Sequence, residues 1–347
     1  MTRPITIDAY FKLPEVVPLI DVRTPAEFEQ GHVPGAFNIP LFTNEERVLV
    51  GTKYKQVGRE EAILLGFDLT GSKWSGFIKR ALEISPQKKV AVHCWRGGMR
   101  SGAMAWALSL YGFDVCVIEG GYKRYRNWVL QRFESPWRLT VLGGMTGSGK
   151  TVVLKELKGL NEQVIDLEDL AQHQGSSYGT MNNLIQPTQE QFENNFAGEL
   201  NTCDAEKRIW VEDESVTIGK RVIPKSFWEQ MRAAILICLN VPLEKRIGKL
   251  VGEYGVLDKD FLIECTTRIK KRLGPEQTRD AVQAITDGRM SEFIRLLLVY
   301  YDKNYRKGLD SRSDGQVFFL DLENTEGPEN ADKIKTFAEG ILAADKI

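Results

Sequence analysis

The sequence predicts an α/β protein made of two parallel-sheet units in series, the second carrying a mostly helical C-terminal part. Three observations predict it. Short apolar runs alternate with helical stretches, the pattern of strands joined by crossover helices. Two glycine-bearing loops each sit between such a run and a helix: His93-Cys94-Trp95-Arg96-Gly97-Gly98-Met99-Arg100-Ser101, and Gly144-Met145-Thr146-Gly147-Ser148-Gly149-Lys150-Thr151. The length of 347 residues is enough for two or three domains.

In the first unit, apolar runs over Val17–Val22, Val90–His93 and Val115–Ile118 read as strands. Thr24 is placed to cap a helix that Pro25 opens. Ser101–Tyr111 is rich in Ala, Met and Leu and reads as a helix that Gly112 terminates. A basic and aromatic stretch, Tyr122–Arg138, reads as a connector, with a boundary near Ser135-Pro136. The domains are therefore expected at 1–134 and 135–347. In the second, strands are expected at Leu139–Leu142, Val164-Ile165, Ile209–Glu212, Ala234–Asn240 and Val317–Asp321. Thr151–Leu157 and Asn330–Ala343 read as helices, and 242–306 as mostly helical.

Composition excludes several classes. Apolar residues make up 42% and charged residues 27%, ordinary values for a globular chain. A formal net charge of -1 argues against a wholly basic nucleic-acid binder and leaves local basic faces open. Met1–Tyr10 lacks the apolar segment of a secretory signal, and no apolar run is long enough to span a bilayer, so a cytoplasmic protein without membrane contact is expected. Five cysteines without a Cys-x-x-Cys pair support neither a zinc site nor a disulfide framework. Cys116 and Cys238 lie within apolar runs and read as structural thiols, and Cys203 and Cys265 fall in helical stretches. Cys94 alone lies in a loop suited to chemistry.

Between Cys94 and Arg100 the loop is short enough to turn its backbone N–H groups inward, helped by Gly97 and Gly98. The following helix adds the partial positive charge of its N-terminus, and Arg96 and Arg100 are candidates to add full charges. Such surroundings favour thiolate and hold an anion against it. His-Cys-x5-Arg-Ser fits two chemistries: a phosphatase thiolate attacking phosphorus, or a thiolate accepting a chalcogen.

The second loop follows an apolar strand and opens a helix, the context of a Walker A loop. Gly144, Gly147, Ser148, Gly149, Lys150 and Thr151 are candidates to hold a diphosphate or triphosphate, with Thr151 reaching a Mg²⁺ if one is bound. Glu212 or Asp213, ending the Ile209 strand, is read either as the partner acid of that loop or as a surface carboxylate. Asp166 is a candidate base or metal ligand, and His173 either a phosphate contact or a structural residue.

Asp21-Val-Arg-Thr-Pro-Ala-Glu-Phe-Glu-Gln-Gly-His-Val-Pro-Gly-Ala-Phe-Asn-Ile-Pro40 closely resembles the signature of the rhodanese, or sulfurtransferase, family. That resemblance favours chalcogen acceptance at Cys94 and leaves Asp21, Arg23, Glu27 and His32 as braces. The order of a rhodanese-like parallel-sheet domain, a connector and a P-loop NTPase-like α/β domain resembles the tRNA 2-selenouridine synthase family. So do Asp166-Leu-Glu-Asp-Leu-Ala171, His173–Gly179, Gln186-Pro-Thr-Gln189 with Phe192-Glu-Asn194, and Trp210–Ser215. Where that family carries Arg, this chain has Gln174, so a charge there is not carried over.

The resemblance implies a transferase that replaces the sulfur of wobble 2-thiouridine in tRNA with selenium from selenophosphate, through a Cys94-bound selenium. It also implies geranylation of that sulfur from geranyl diphosphate, and a selenophosphate synthase as donor partner. Lys123, Arg124, Arg126 and Arg132 are candidates to track tRNA phosphates, and Trp128, Tyr125 or Trp95 to stack on an unpaired base. Lys245, Arg246, Lys249, Arg268, Lys270, Lys271 and Arg272 form a second basic region, read either as an RNA contact or as a solvated helix face. The competing readings are a sulfurtransferase or cysteine phosphatase fused to an NTPase, and a non-catalytic RNA-binding module.

Overall fold

The computed structural model describes residues 2–173, 178, 184–312 and 315–344. Contacts divide the chain into two units, Met1–Arg132 with Glu193–Gly198, and Phe133–Phe192 with Glu199–Ile347.

The first unit contains β1 (Thr2–Ile5), α1 (Ile7–Phe11), β2 (Leu19–Asp21), α2 (Pro25–Gln30), β3 (Phe37–Asn38), α3 (Asn44–Gln56), α4 (Arg59–Thr70), α5 (Trp74–Ile84), β4 (Lys89–His93), α6 (Met99–Leu110), β5 (Asp114–Ile118) and α7 (Gly121–Glu134), the last crossing into the second unit. All strand pairs are parallel, in the order β1-β5-β4-β2-β3. A parallel sheet needs apolar residues on both faces: Ile20, Val90, Val92 and Val115 are buried on one, and Leu19, Ala91, Cys116 and Ile118 on the other. The central strand β4 delivers Cys94 to its carboxyl end.

Four helices here, α1, α3, α4 and α5, had no counterpart in the sequence reading. Helix α3 starts at a capping box between Thr43 and Glu46, yet none of its residues is fully buried. Val48, Leu49, Val57, Leu64 and Phe67 of α3, α4 and their junction are more than half exposed. Apolar side chains left facing outward blur the 3.6-residue period that would mark these helices.

The stretch read as a connector is the helix α7. Its aromatic residues form core: Tyr122, Tyr125 and Trp128 are at most 4% exposed. Trp128 lies 4.8 Å from Phe11 between ring centroids and donates its indole N–H to Asp8 at 3.1 Å. Residues 193–198 complete this packing: Asn194 Nδ2 donates to the Tyr122 hydroxyl at 2.8 Å and the His32 carbonyl at 2.9 Å, and Arg126 donates to Asn194 Oδ1 at 2.6 Å and pairs with Glu193.

The second unit continues with β6 (Leu139–Gly144), α8 (Lys150–Gly159), β7 (Gln163–Ile165), α9 (Leu167–Ala171), α10 (Gln189–Thr202, whose residues 193–198 belong to the first unit), β8 (Ile209–Glu212), β9 (Thr217–Ile218), β10 (Arg221–Val222), α11 (Lys225–Ala233), β11 (Ile235–Asn240), α12 (Leu243–Tyr254), α13 (Lys259–Arg268), α14 (Lys270–Leu273), α15 (Pro275–Thr286), α16 (Met290–Leu309), β12 (Val317–Asp321) and α17 (Pro328–Ala344). Five strands form a parallel sheet in the order β12-β11-β6-β8-β7, and β9 and β10 make a small hairpin. Strand β6 is central, with later strands laid down on both sides. That arrangement opens a crevice at its carboxyl end. Helices α12–α16 enclose their own core of Leu250, Tyr254, Leu262, Ala281, Phe293 and Leu297. Among the described residues no helix is long and apolar enough to cross a membrane.

Candidate active sites

The thiol loop leaves β4 after His93 and is clamped by the start of α7. The Cys94 carbonyl accepts the Tyr122 N–H at 2.9 Å, and the Trp95 carbonyl the Lys123 N–H at 2.9 Å. Two glycines make the approach possible. Gly97 has φ +64°, and a Cβ there would lie 2.7 Å from the Ile118 carbonyl oxygen; Gly121 has φ +58°, and a Cβ there would lie 2.2 Å from the Cys94 carbonyl oxygen. Gly98 differs: its φ is −105°, and a Cβ would meet only open space. Its contribution is an N–H, which points at Cys94 Sγ from 3.3 Å at the N-cap of α6.

Cys94 is 4% exposed, and its sulfur also lies 3.3 Å from the Ser101 hydroxyl. Burial pushes the thiol up. The Ser101 hydroxyl and the backbone N–H groups of Ser101, Arg96 and Gly98 outweigh it and leave the thiol below its ordinary value. The sulfur thus faces backbone N–H groups and the hydroxyl of Ser101, the residue that ends the Cys-x5-Arg-Ser pattern.

The two arginines are not equivalent. Arg96 is exposed. Arg100 is held by Glu27 through contacts of 2.7 and 3.3 Å. Glu27 also caps α2 by accepting the Thr24 N–H at 3.0 Å. Asp21, Arg23 and His32 brace the fold as expected. Buried Arg23 donates to Asp21 at 2.6–3.0 Å and to the Gly31 carbonyl at 2.7 Å, with its guanidinium 3.6 Å from the Tyr122 ring centroid. His32 Nδ1 lies 2.9 Å from the Phe28 carbonyl.

The glycine loop joins β6 to α8. Gly144, Gly147 and Gly149 have φ of +148°, +81° and +86°. A Cβ on Gly149 would fall 1.9 Å from the Thr325 carbonyl oxygen, and one on Gly147 2.9 Å from Leu250 Cδ1, so α12 lies directly on the loop. Lys150 Nζ donates to the Gly144 carbonyl at 3.1 Å and lies 3.4 Å from Glu212 Oε1. Ser148 is buried and its hydroxyl has no partner among the described residues. These groups and Thr151 line a cleft of about 950 Å³ together with Leu184, Leu250, Tyr254, Leu257 and Tyr301.

The two acids read as equivalent at the end of β8 have separate jobs. Asp213 is committed: Tyr305 donates to it at 3.0 Å and Arg312 at 2.8 Å, and the Tyr305 hydroxyl in turn accepts the Gly144 N–H at 2.7 Å. Asp213 therefore braces the loop from beneath. Glu212 faces Lys150 and is 3% exposed. Asp166 caps α9 by accepting the Asp169 N–H at 2.9 Å.

Two acids not singled out in the sequence, Glu168 and Glu214, converge with Glu212 so that one carboxylate oxygen from each lies within 4.8 Å of the others. Burial first, then Glu212 and Glu214, pushes the Glu168 carboxyl up to about 9; burial and Glu212 push Glu214 up to about 8. A period-two signal existed, since Glu212 and Glu214 alternate along one strand direction. His173 is buried beside Gly219 and does not line the cleft, and position 174 lies outside the described residues.

Of the residues expected to meet RNA, Lys123 and Arg124 are exposed on α7. Arg126 is engaged by Asn194 and Glu193, and Trp128 is core, so a base cannot stack on it without unpacking the helix. In the second basic region Arg246 is buried against Asp302 and the Thr146 carbonyl, and Lys249 pairs with Glu253 and Glu326. Lys270, Lys271 and Arg272 are exposed.

Comparison with known proteins adds an independent line. A family model described as the AAA domain of tRNA 2-selenouridine synthase matches residues 137–326, and a rhodanese-like domain model matches residues 7–127. A protein named tRNA 2-selenouridine synthase from Shewanella woodyi is 35% identical over 345 residues, covering 87% of this chain and 90% of its own. One of the same name from Sulfurovum sp. (strain NBC37-1) is 36% identical over 341 residues, covering 87% and 91%. Another from Nitrosomonas europaea is 40% identical over 245 residues, covering 68% and 63%.

Proposed function

The chain belongs to the tRNA 2-selenouridine synthase family, and from that premise we propose that it is a tRNA-modifying transferase that geranylates wobble 2-thiouridine and then exchanges the sulfur for selenium. The observation that carries the two-step reading is the mixed lining of the cleft, in which Lys150 and the glycine loop stand with the apolar and aromatic side chains of Leu250, Tyr254, Leu257 and Tyr301. A prenyl diphosphate combines a charged head and an apolar tail, and such a lining suits both.

In the first step the thione sulfur attacks the first carbon of geranyl diphosphate. The carbon–oxygen bond breaks, and its electron pair leaves on the diphosphate. Lys150 and the N–H groups of the glycine loop stabilise that developing charge. Thr151 and Glu212 are oxygen donors of the kind Mg²⁺ takes, and a bound ion would add charge neutralisation there. Alkylation matters for the second step, because a thione is a poor leaving group whereas the S-geranyl group departs as a thiol. Selenophosphate is the selenium donor, delivered by a selenophosphate synthase. The N–H cradle around Cys94 suits its anionic head. The selenium, at the selenide level, attacks the 2-carbon of the base as geranylthiol leaves. Water at phosphorus then breaks the phosphorus–selenium bond and releases phosphate. That balance needs no oxidant, whereas the Cys94-bound selenium implied by the family resemblance would need one. Lys123 and Arg124 contact the tRNA backbone.

The test is mass spectrometry of wobble nucleosides after incubating thiolated tRNA with the protein, selenophosphate and geranyl diphosphate. S-geranyl and 2-seleno products are expected, with Lys150→Met blocking the first and Cys94→Ser only the second. Unimpaired selenation by Cys94→Ser, or geranylation that survives Lys150→Met, would overturn the corresponding assignment.

A further inference from the structure

Lys150 serves as counter-ion to Glu212: its ammonium touches Gly144 O and Glu212 Oε1, and Glu168 and Glu214 bring two further carboxyl groups to the same place. Glu212 is 97% shielded from solvent, counting from its 3% exposure, and its Oε2 has no hydrogen-bond partner among the described residues. A buried carboxylate oxygen with no donor is costly to maintain and marks a position that a missing cation would fill. Of the nearby acids, Asp213 is occupied on both oxygens by Tyr305 and Arg312, and Asp166 is engaged through Oδ1 in capping α9.

We infer that Glu168, Glu212 and Glu214 form a divalent-cation site whose charge Lys150 covers only until a diphosphate draws the lysine away. Three carboxylates supply the hard oxygen donors that such ions take, and one oxygen from each lies within 4.8 Å of the others, close enough for one ion to reach all three. The exchange is linked in both directions. A diphosphate that pulls Lys150 toward the glycine loop exposes the cluster and raises its affinity for a cation, and by reciprocity the cation raises affinity for the diphosphate. The exchange rests on the diphosphate reading of the glycine loop, whereas the cation site itself does not.

The full-length protein is titrated with Mn²⁺ in phosphate-free buffer, and free ion is followed by electron paramagnetic resonance. Removing the competing ammonium in Lys150→Met should tighten Mn²⁺ binding by about tenfold or more relative to the parent chain. Adding Glu214→Gln or Glu168→Gln to that variant should abolish the gain. Both acids are only half-buried, so these changes spare the core. Lys150→Gln, which keeps a donor for the Gly144 carbonyl, gives the same comparison if the methionine variant does not fold. Equal Mn²⁺ affinity with and without the lysine, or a gain that persists in the glutamine variants, overturns the site. Inorganic pyrophosphate binding is measured separately on the parent chain; its absence counts against the diphosphate reading alone, because the Mn²⁺ comparison contains no phosphate.

Discussion

Replacing Gly121 by alanine is expected to dismantle the thiol loop without touching the sulfur. At φ +58° a residue with a Cβ pays about 1–2 kcal/mol for the left-handed conformation. The new Cβ would sit 2.2 Å from the Cys94 carbonyl oxygen and 2.5 Å from the Gly97 nitrogen, both backbone atoms. The loop must therefore retreat by about an ångström to restore ordinary contact. That retreat breaks the hydrogen bond of 2.9 Å from the Tyr122 N–H to the Cys94 carbonyl, at about 1–3 kcal/mol where the groups are buried. The combined cost of about 2–5 kcal/mol is a large part of the roughly 5–15 kcal/mol that holds a domain together. Gly102→Ala is the matched control: exposed within α6 and with nothing within 4 Å of a new Cβ, it should not destabilise the fold. Hydrogen–deuterium exchange of the intact chain reads both, peptides spanning 88–125 exchanging faster in Gly121→Ala than in Gly102→Ala. Indistinguishable exchange and melting in the two variants would refute the clamp.

Two further outcomes follow from the helix α7 and from Glu27. Truncating Trp128 to alanine should destabilise the protein by about 3–5 kcal/mol, measured by urea unfolding, while the folded fraction keeps its tRNA affinity. Lys123→Ala with Arg124→Ala should do the reverse, leaving the unfolding midpoint in place and lowering the slope of log affinity against log salt by about one to two. A stable Trp128→Ala protein with weakened RNA binding would restore the stacking role. Burial works against the charged form of Glu27, but Arg100, the Thr24 N–H and Arg47 prevail and hold its carboxyl below the ordinary value. The group is thus depressed in the folded state, so its stabilisation is full above the unfolded carboxylate range and is lost as pH falls through the lower folded value. Glu27→Gln should flatten that acid limb in melting temperature against pH, and an unchanged limb would remove Glu27 from the account.

Much of this architecture could be read from the chain because it depends on local rules. Strands β4, β5, β6, β8 and β11 are short apolar runs buried on both faces, and runs of that kind announce themselves without partners. Both loops also carry their own punctuation, a glycine where the backbone must turn through positive φ and a helix start behind it. The helix α7 was misread because its basic residues drew attention to charge. Its buried positions 122, 125 and 129 nonetheless recur at helical spacing, a signal of burial rather than of stacking. The convergence of Glu168 from α9 with Glu212 and Glu214 beyond β8 was not readable, since it depends on two strand ends meeting in the sheet order β6-β8-β7. The same holds for Arg100, whose partner Glu27 lies 73 positions earlier.

The use of residues 193–198 to finish the first unit has a consequence for biosynthesis. Asn194 reaches back across 72 positions to the Tyr122 hydroxyl and 162 to the His32 carbonyl. A nascent chain leaving the ribosome therefore cannot seal its amino-terminal module until the strand and loop of the nucleotide-type fold have already emerged. The two modules mature together, and a gene fission that kept both intact would need to carry a piece of the later reading frame along with the earlier one.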